Sequence, residues 1–322
     1  MASKDIRLLV TRRLPEAVLA RAASDYDAVL NMDDRLYGAE DLMRLCGDVD
    51  AALICLSEKF NAEVIASLPK RFRIVSTFSV GTDHIDLTAA RAHGLRVGNA
   101  PHGVTIATAE IAMLLILGCA RRAPEAGRLL ADGKWMGWDP TFMLGRRLDG
   151  KTLGILGLGK IGQALARRAR AFDMEIHYQN RRRLPPEQEH GATFHETLPS
   201  LFGAADILSL NAPAAADTRH ILNAETIGYL KPGAIVINTA RGDLVRDADL
   251  IAAVRSGRVA YAGLDVFEGE PKLNPGYLDL PNVMLLPHMG SATIEARNQM
   301  GFEALDNIDA CFAGRELPFP VA

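Results

Sequence analysis

The feature that most restricts how this chain can fold is a glycine pattern that connects a strand-like run to a helix-like segment. Residues 152–156 are largely apolar, and Gly157-Leu158-Gly159-Lys160-Ile161-Gly162 follows them directly. The next segment repeats apolar residues at helical spacing, namely Ile161, Ala164, Leu165, Ala169 and Phe172. Gly-x-Gly-x-x-Gly between a strand and a helix is typical of a βαβ unit that binds a dinucleotide. A glycine-rich turn without a ligand is the alternative, and the flanking segments argue against it.

The three glycines of this pattern have different expected roles. Gly157 permits the tight turn, Gly159 lets the backbone approach a pyrophosphate, and Gly162 lets the helix pack on the strand. The first N–H groups of the helix have no acceptor within it and favour an anion. We therefore expect residues 157–162, including Leu158, Lys160 and Ile161, to contact the cofactor.

Strand-like and helix-like segments alternate along the whole chain, which predicts parallel sheets. The strand-like runs lie at residues 6–10, 28–30, 51–55, 74–78 and 96–98, and then at 152–156, 175–178, 207–210, 234–238, 261–266 and 283–286. We expect an α/β fold with two doubly wound parallel-sheet domains. Residues 101–290 would form a Rossmann-type dinucleotide-binding domain, and residues 1–100 plus 291–322 a flavodoxin-like substrate domain. The last helix, expected at residues 291–312, would return to the substrate domain.

The bulk composition limits the class of protein. The chain has 322 residues, of which 48% are hydrophobic and 23% charged, as in soluble proteins of about two domains. A formal net charge of -3 gives no electrostatic reason to expect nucleic acid or membrane as a partner. The four cysteines lack Cys-x-x-Cys or metal-type spacing, and the N-terminus lacks the apolar core of a signal peptide. These features favour a cytoplasmic protein without a metal site.

One apolar segment, residues 106–120, carries Glu110 as its only charge. It is shorter than the ~20 residues that cross a bilayer. We interpret it as a helix buried between the two domains.

Three motifs in the second half of the chain place reactive side chains after strand-like runs. They are Asn-Thr-Ala-Arg-Gly at residues 238–242, Asp-Val-Phe-Glu-Gly-Glu-Pro at 265–271 and Leu-Pro-His-Met-Gly at 286–290. Ligands of open α/β sheets bind outside the carboxyl ends of the strands, so we expect Arg241, Glu270 and His288 at one crevice. A guanidinium can bind a carboxylate and polarise a carbonyl, while an imidazole held by a carboxylate can donate a proton. Each residue alone is more often a surface or ion-pairing group, but the set favours reduction of a 2-oxo acid.

The strand after the glycine pattern bears on the choice of cofactor. NAD-binding units usually carry Asp or Glu about 20 residues beyond the glycines, where it holds the ribose 2′-hydroxyl. Here Asn180-Arg181-Arg182-Arg183 occupies that region without a carboxylate. Because guanidinium groups bind phosphate strongly, we expect NADP(H) to be preferred through Arg181 and Arg182 with help from Asn180, and NAD(H) to be the alternative. A solvated basic turn is the competing interpretation.

The glycine pattern, Asn-Thr-Ala-Arg-Gly, the Asp…Glu-Pro block and Pro-His-x-Gly, in this order, resemble the D-isomer-specific 2-hydroxyacid dehydrogenases. The resemblance extends to Ser79-Val80-Gly81-Thr82-Asp83-His84-Ile85-Asp86 in the first hundred residues. It implies that Arg241 binds substrate, that Glu270 and His288 form the acid–base pair, and that the N–H groups of Val80 and Gly81 bind the substrate carboxylate. It also implies a homodimer, and cofactor contacts at Thr108, Pro213, Thr218, Thr239, Ala240, Asp265 and Gly290, with Asp265 on the nicotinamide amide.

Within this family the chain is most similar to the glyoxylate and hydroxypyruvate reductases. The arginine run resembles their NADP-type loop, Leu56-Ser57-Glu58 resembles the loop after their third strand, and Trp138-Asp139-Pro140 resembles a segment near their substrate pocket. Leu56 and Trp138 are therefore expected at the substrate, Trp138 either in the neighbouring subunit's site or in the dimer interface. Reduction of 2-ketogluconate or phenylpyruvate, a dinucleotide-sensing regulatory protein, and a dehydrogenase of unrelated substrates such as alcohols are the alternatives.

Overall fold

A computed structural model describes residues 4–322 of the chain, and these residues fall into two compact units. The first unit consists of the described residues up to Val104 together with Ser291–Ala322. The second unit is the continuous segment Thr105–Gly290.

The first unit is built on a five-stranded parallel sheet. Its strands are β1 (Arg7–Val10), β2 (Asp27–Leu30), β3 (Ala51–Ile54), β4 (Ile74–Thr77) and β5 (Arg96–Gly98), in the order β2-β1-β3-β4-β5. Its helices are α1 (Glu16–Asp25), α2 (Ala39–Cys46), α3 (Ala62–Ala66), α4 (Leu87–His93) and the C-terminal helix (Ile294–Phe312). This order is the flavodoxin-like one, and it places a reversal of winding between β1 and β3.

Alternation along the strands of the first unit supplies a core on each face of the sheet. Leu8 and Val10 pack with the C-terminal helix, whereas Leu9, between them, packs with residues from α2 and α3. Successive side chains of a strand point to opposite faces, so a buried strand must be apolar at every position. The unbroken apolar runs of the sequence therefore correspond to strands covered on both sides.

The second unit contains a seven-stranded parallel sheet. Its strands are β6 (Thr152–Leu156), β7 (Glu175–Gln179), β8 (Thr193–Phe194), β9 (Ile207–Leu210), β10 (Ala234–Asn238), β11 (Val259–Leu264) and β12 (Val283–Leu285), in the order β12-β11-β10-β9-β6-β7-β8. The winding reverses between β6 and β9, as in Rossmann-type sheets. The predicted fold class, two doubly wound parallel sheets, is confirmed.

Helices cover both faces of the second sheet. They are α5 (Val104–Ala120, which begins in the last residue of the first unit), α6 (Ala123–Ala131), α7 (Lys160–Arg170), α8 (Pro186–Glu189), α9 (Leu198–Ala204), α10 (Ala224–Ile227) and α11 (Asp247–Arg255), with short 3-10 turns at Gly242–Leu244 and Pro275–Tyr277. The apolar helix α5 packs on the sheet through residues such as Leu115 and Ile116, which share a core with Ile155 and Ile237. Its backbone-to-sheet distance is short, because a Cβ built on Gly263 would lie 2.9 Å from Leu115 Cβ.

Three elements differ from the sequence-based expectation. The two-residue strand β8 was not predicted, because Thr193 and Phe194 are too few to give a periodic pattern. Helix α6 lies between α5 and β6, in a region where no helix was predicted. The C-terminal helix begins at Ile294 rather than at residue 291, because the hydroxyl of Thr293 accepts a hydrogen bond from Ala296 N and caps it there.

In the described part of the chain no single helix has the length and apolar character needed to cross a membrane, although α5 and α6, bent by 68° at their junction, pass such a test as a pair by length and composition.

Candidate active site

The glycine pattern forms the turn between β6 and α7, and two of its glycines are required by the protein itself. Gly157 has a φ of +97°, and a Cβ built on it would lie 2.7 Å from Ala212 N. A Cβ on Gly162 would lie 2.5 Å from Gly157 O. These contacts agree with the turn and packing roles expected for the two positions.

Gly159 differs from its two neighbours in the pattern. A Cβ built on it would meet nothing within 4 Å, and its φ of -82° suits any L-residue. It stands at the N-cap of α7 and provides no side-chain cap. In the described residues, no acceptor engages the N–H groups of Lys160, Ile161 and Gly162, and the first helical bond runs from Gln163 N to Gly159 O at 2.8 Å. Open space in front of unpaired N–H groups fits a dinucleotide's diphosphate.

Two buried polar atoms near the same end of the sheet lack a partner among the described residues. They are Asn211 Oδ1, which follows β9, and Thr239 Oγ1, which follows β10. Buried polar atoms are rarely left unpaired, so these two are suited to a ligand that the protein binds there. Thr239 is one of the predicted cofactor contacts. The neighbouring Thr218 instead has a clear structural use, because its hydroxyl donates to Pro213 O at 2.8 Å and accepts from Ala215 N at 2.8 Å.

The arginine run lies beside the glycine turn. Asn180, directly after β7, accepts a hydrogen bond from Leu158 N through its Oδ1 at 2.7 Å, so this side chain organises the turn. The side chains of Arg181 and Arg182 are exposed, and neither has a hydrogen bond or ion pair with any of residues 4–322. The third guanidinium is different: Arg183 binds Glu189 through two contacts of 2.8 and 3.1 Å.

The Arg183–Glu189 pair sets Arg183 apart from the other two arginines of the run. The hydrogen bond from Arg183, together with one from Tyr178, lowers the pKa of the Glu189 carboxyl to about 2. A guanidinium that already holds a carboxylate is not free for a second anion. Arg181 and Arg182 are the two arginines of the run that lack such a partner among the described residues.

His288 and Glu270 meet at the carboxyl ends of adjacent strands, β12 and β11. His288 Nδ1 lies 2.7 Å from Glu270 Oε2, and the two side chains are 36% and 31% exposed. Glu270 Oε1 accepts a second hydrogen bond from Phe267 N at 2.7 Å. Burial by itself would raise the pKa of Glu270, but the bond to His288, the charge of that ring when protonated, the bond to Phe267 N and the charge of Arg241 together lower it.

The ionised state of Glu270 assigns the protons of the pair. A carboxylate can only accept, so the proton in this hydrogen bond is on Nδ1 of His288. Nε2 is then the nitrogen that can gain or lose a proton towards a substrate. The histidine is held by its backbone as well, because His288 N donates to Asp265 O at 2.9 Å and its φ is +51°.

Arg241 lies in the turn after β10, next to β11 in the sheet. The side chain of the buried Asn238 organises this turn: its Nδ2 donates to Arg241 O at 2.8 Å and its Oδ1 accepts from Ala240 N at 3.0 Å. The guanidinium also donates to Ala240 O at 2.8 Å. A Cβ on the next residue, Gly242, would lie 1.9 Å from the carbonyl carbon of Phe267. The turn therefore packs in close backbone contact with the loop that carries Glu270.

Asn238 was not singled out from the sequence as a residue that matters to the site. The sequence did contain an indication of its role, because Asn238 is the first residue of the motif Asn-Thr-Ala-Arg-Gly. An Asn that bonds its own backbone two residues further on is a common turn device. The three predicted residues Arg241, Glu270 and His288 are brought together by such backbone contacts between neighbouring turns.

Asp265 has buried carboxylate oxygens that are both engaged by the protein. Oδ1 accepts from Met289 N at 2.8 Å and Oδ2 accepts from Gly290 N at 2.7 Å. Burial raises its pKa, although these two bonds oppose the shift. Thr108 Oγ1 donates to Gly290 O at 3.3 Å, so three predicted cofactor contacts form one hydrogen-bonded group.

The remaining predicted residues lie at other places in the fold. Leu56 follows β3 and Val80 follows β4, adjacent strands of the first unit, and both side chains are 38% exposed. Gly81 comes next in the same loop. Trp138 lies between α6 and β6 in the second unit and is 84% exposed. Among residues 4–322, no group of three or more His, Cys, Asp or Glu side chains is arranged to hold a metal ion.

Comparison with known proteins decides the family. Residues 113–290 match the model of the D-isomer specific 2-hydroxyacid dehydrogenase, NAD binding domain. The chain belongs to the D-isomer specific 2-hydroxyacid dehydrogenase family. It is thus an oxidoreductase family member with a nicotinamide-dinucleotide-binding domain, in agreement with the resemblance noted in its motifs.

Relatives match nearly the whole length of this chain. A glycerate dehydrogenase of Hyphomicrobium methylovorum is 50% identical over 318 residues, 98% of this chain and 99% of the relative. A glyoxylate reductase of Thermococcus litoralis is 39% identical over 97% of this chain and 95% of the relative. The solved NADPH-dependent glyoxylate/hydroxypyruvate reductase of Sinorhizobium meliloti, in complex with NADP and malonate, is 35% identical with a TM-score of 0.87 over 98% of this chain and 97% of that one.

Proposed function

We propose that this dehydrogenase is an NADPH-preferring reductase of small 2-oxo acids such as glyoxylate and hydroxypyruvate, which it converts to D-2-hydroxy acids. The observation that carries the proposal is the 2.7 Å hydrogen bond between His288 Nδ1 and Glu270 Oε2, with Arg241 in the neighbouring turn. Relatives named glycerate dehydrogenase and glyoxylate reductase support the substrate class.

His288 acts as the proton donor in this proposal. Its Nδ1 proton is held by the Glu270 carboxylate, 2.7 Å away. Nε2 carries the second proton until the carbonyl oxygen of the substrate becomes an alkoxide, and then transfers it. Glu270 stays ionised throughout and fixes the ring's orientation.

In this proposal, Arg241 and the loop after β4 bind the carboxylate of the substrate. The guanidinium of Arg241 binds the carboxylate and polarises the adjacent carbonyl, and the N–H groups of Val80 and Gly81 bind the same carboxylate. Leu56 and Trp138 limit the size of the substrate. A carbonyl compound without a carboxylate leaves these donors unpaired and is a poor substrate.

The dinucleotide site in this proposal consists of the glycine turn, the α7 N-terminus and the arginine pair Arg181–Arg182. A bound reduced nicotinamide would supply the hydride. Asp265, Thr108 and Gly290 position the backbone on the nicotinamide side, and Pro213, Thr218, Thr239 and Ala240 line the remainder. Arg181 and Arg182, which lack protein partners, select the 2′-phosphate of NADP(H).

The cofactor preference is tested with the double variant Arg181→Ala/Arg182→Ala. Hydrogen bonds to charged groups are worth about 1.5–3 kcal/mol, so kcat/KM with NADPH should fall at least about tenfold while kcat/KM with NADH changes little. Arg167→Ala, an exposed arginine at the far end of α7, is the matched control and should change neither value. A wild-type enzyme that prefers NADH would reject the NADPH assignment but not the dehydrogenase activity.

The substrate class is tested with a panel of 2-oxo acids and both coenzymes. Glyoxylate and hydroxypyruvate should give the highest kcat/KM, and 2-ketogluconate or phenylpyruvate lower values. The 50% identical glycerate dehydrogenase favours the hydroxypyruvate–glycerate pair as one reaction to measure in both directions. Absence of turnover with every 2-oxo acid would instead favour the dinucleotide-sensing alternative.

We also propose that the enzyme is a homodimer. The segment from α6 to β6 exposes large apolar side chains, including Trp135 at 55%, Met136 at 96% and Trp138 at 84%. Clustered exposed apolar residues mark interaction surfaces rather than ordinary solvent-facing ones. A second copy of the chain would bury them and add Trp138 to a shared interface.

A further inference from the structure

Three successive carbonyl groups in the loop after β4 are each held by a hydrogen bond. Ser79 O accepts from Ala100 N at 2.9 Å. Val80 O accepts from Asn99 Nδ2 at 2.8 Å. Gly81 O accepts from Ser79 Oγ at 2.7 Å.

These bonds also set the direction of the three N–H groups that follow. In a planar trans peptide, the carbonyl of one residue and the N–H of the next point in opposite directions. The N–H groups of Val80, Gly81 and Thr82 are therefore turned away from the donors that hold the carbonyls. Within residues 4–322, none of these three N–H groups has an acceptor. A row of main-chain donors without protein acceptors is suited to an anion.

The hydroxyl group of Ser79 is oriented by a chain of hydrogen bonds between buried side chains. Ser79 and Thr77 are 3% and 0% exposed, and their hydroxyl oxygens lie 2.7 Å apart. A carbonyl can only accept, so Ser79 uses its single hydroxyl proton on Gly81 O, and Thr77 must donate to Ser79. Thr77 Oγ1 then accepts from His84 Nε2, 2.9 Å away. Protons in this chain run in one direction, from His84 through Thr77 and Ser79 to Gly81, and such chains strengthen each bond.

We propose that Asn99 and Ser79 are positioning residues, which set the N–H groups of Val80, Gly81 and Thr82 as a preformed binding row for the carboxylate of the 2-oxo acid. This inference rests on the proposed function, because it assigns the anion to the substrate. It adds Thr82 N as a third donor. It also implies that the side chains of Asn99 and Ser79, which do not touch the substrate, hold the three N–H groups in place. A preformed row needs no ordering when the carboxylate binds, so its loss should weaken substrate binding rather than the chemical step.

The test uses two variants of the full-length enzyme, Asn99→Leu and Ser79→Ala. Asn99→Leu removes the donor to Val80 O at nearly constant size, and Ser79→Ala removes the donor to Gly81 O. Each should raise the KM for glyoxylate, and the inhibition constant of oxamate, about tenfold, with kcat and the Kd for NADPH within about threefold of wild type. Ser79→Thr keeps the hydroxyl and should retain the wild-type KM.

A matched control separates positioning from general stability. Asn31 makes the same kind of bonds in the same unit, donating through Nδ2 to Thr11 O at 2.8 Å and Arg35 O at 2.7 Å. Asn31→Ala should lower the melting temperature without changing the KM for glyoxylate. Unchanged KM in both test variants, or a loss of NADPH affinity in step with the rise in KM, would overturn the inference. Failure of the wild-type enzyme to reduce any 2-oxo acid would instead reject the proposed function, so the two failures are distinguishable.

Discussion

At the scale of single residues, His288 meets two separate demands. Its ring must face Glu270, and its backbone must adopt a φ of +51° in the left-handed region. Only a few residues accept that conformation without strain, and Asn is among the best of them. Asn is therefore the replacement that removes the imidazole while preserving the turn.

We predict that His288→Asn lowers kcat for glyoxylate reduction about 10²–10⁴-fold, the usual contribution of a general acid. The Kd for NADPH should remain close to that of wild type, because the imidazole acts on the substrate. Steady-state kinetics and fluorescence titration of NADPH measure the two quantities. Turnover near the wild-type rate would remove His288 from the mechanism.

The glycines of the β6–α7 turn should respond differently to alanine. Gly159→Ala adds a methyl into open space at an allowed φ, so we expect stability within about 0.5 kcal/mol of wild type. The same methyl lies where a diphosphate would approach, so the KM for NADPH should rise about tenfold or more. Thermal unfolding and coenzyme kinetics on the same preparation test both expectations.

Gly157→Ala is the contrasting variant. Its φ of +97° and the 2.7 Å approach to Ala212 N mean that alanine strains the backbone and displaces a neighbouring loop. It should lose stability as well as coenzyme affinity. Equal loss of stability in the two variants would show that Gly159 has a packing role that the structure does not explain.

At the scale of secondary-structure elements, the sequence was sufficient for the strands and for the ends at which the reactive residues lie. Apolar runs located eleven of the strands within one or two residues, because parallel strands covered on both faces must be continuously apolar. Asp86 is the N-cap of α4, where its side chain accepts hydrogen bonds from Thr88 N and Ala89 N.

What the sequence could not provide is the set of contacts between turns. The approach of Gly242 to Phe267 and the bond from Leu158 N to Asn180 join residues more than twenty positions apart. Similarly, the pairing of Arg183 with Glu189 depends on α8, a helix of four residues that is too short to predict from periodicity. The sequence shows the sign of each charged side chain, but it does not show which side chain each one pairs with.

The elements β7, β8 and α9 are joined by a pair of hydrogen-bonded histidines. His177 Nδ1 lies 2.8 Å from His195 Nε2, and His195 Nδ1 lies 2.6 Å from Ser200 Oγ. Burial lowers the pKa of both rings, and for His177 the charge of His195 and that of Lys231 lower it further while Glu175 opposes. The folded pair therefore binds fewer protons than the unfolded chain as the pH falls below about 6.5.

We predict that the free energy of unfolding falls between pH 7 and pH 5 more steeply in wild type than in His195→Gln. The unfolded state takes up protons in this range that the folded pair resists, so acid favours unfolding. Denaturant unfolding at several pH values measures the difference between the two proteins. His93→Gln, at an exposed histidine in the last turn of α4, is the control, and an identical slope for wild type and His195→Gln would contradict the prediction.

At the scale of the whole molecule, the exposed apolar segment before β6 is the feature that a single copy of the chain leaves unexplained. Trp135, Met136 and Trp138 are each more than half exposed, and helix α6 before them has no buried residue. Soluble chains rarely leave such a group in water. A partner surface is the simplest physical account.

We predict that Trp135→Ser/Met136→Ser/Trp138→Ser converts a dimer into a monomer, because these side chains supply apolar area that only association buries. Sedimentation velocity at several protein concentrations measures the change. Leu36→Ser, at a 64% exposed leucine in the first unit, should leave the dimer intact. A wild-type protein that sediments as a monomer would contradict both the prediction and the proposed assembly.

The two units differ in how the chain forms them, because one is continuous in sequence and the other is not. The glycine turn, the arginine pair, Arg241, Glu270 and His288 all belong to the uninterrupted stretch Thr105–Gly290, whereas the other unit is assembled from both termini. The proposed proton donor, guanidinium and coenzyme-binding turn thus lie in one continuous segment, which can be exchanged at two junctions without altering the Val80–Gly81 loop. Chimeras exchanged at those junctions should acquire the donor's coenzyme preference together with its Arg241, Glu270 and His288.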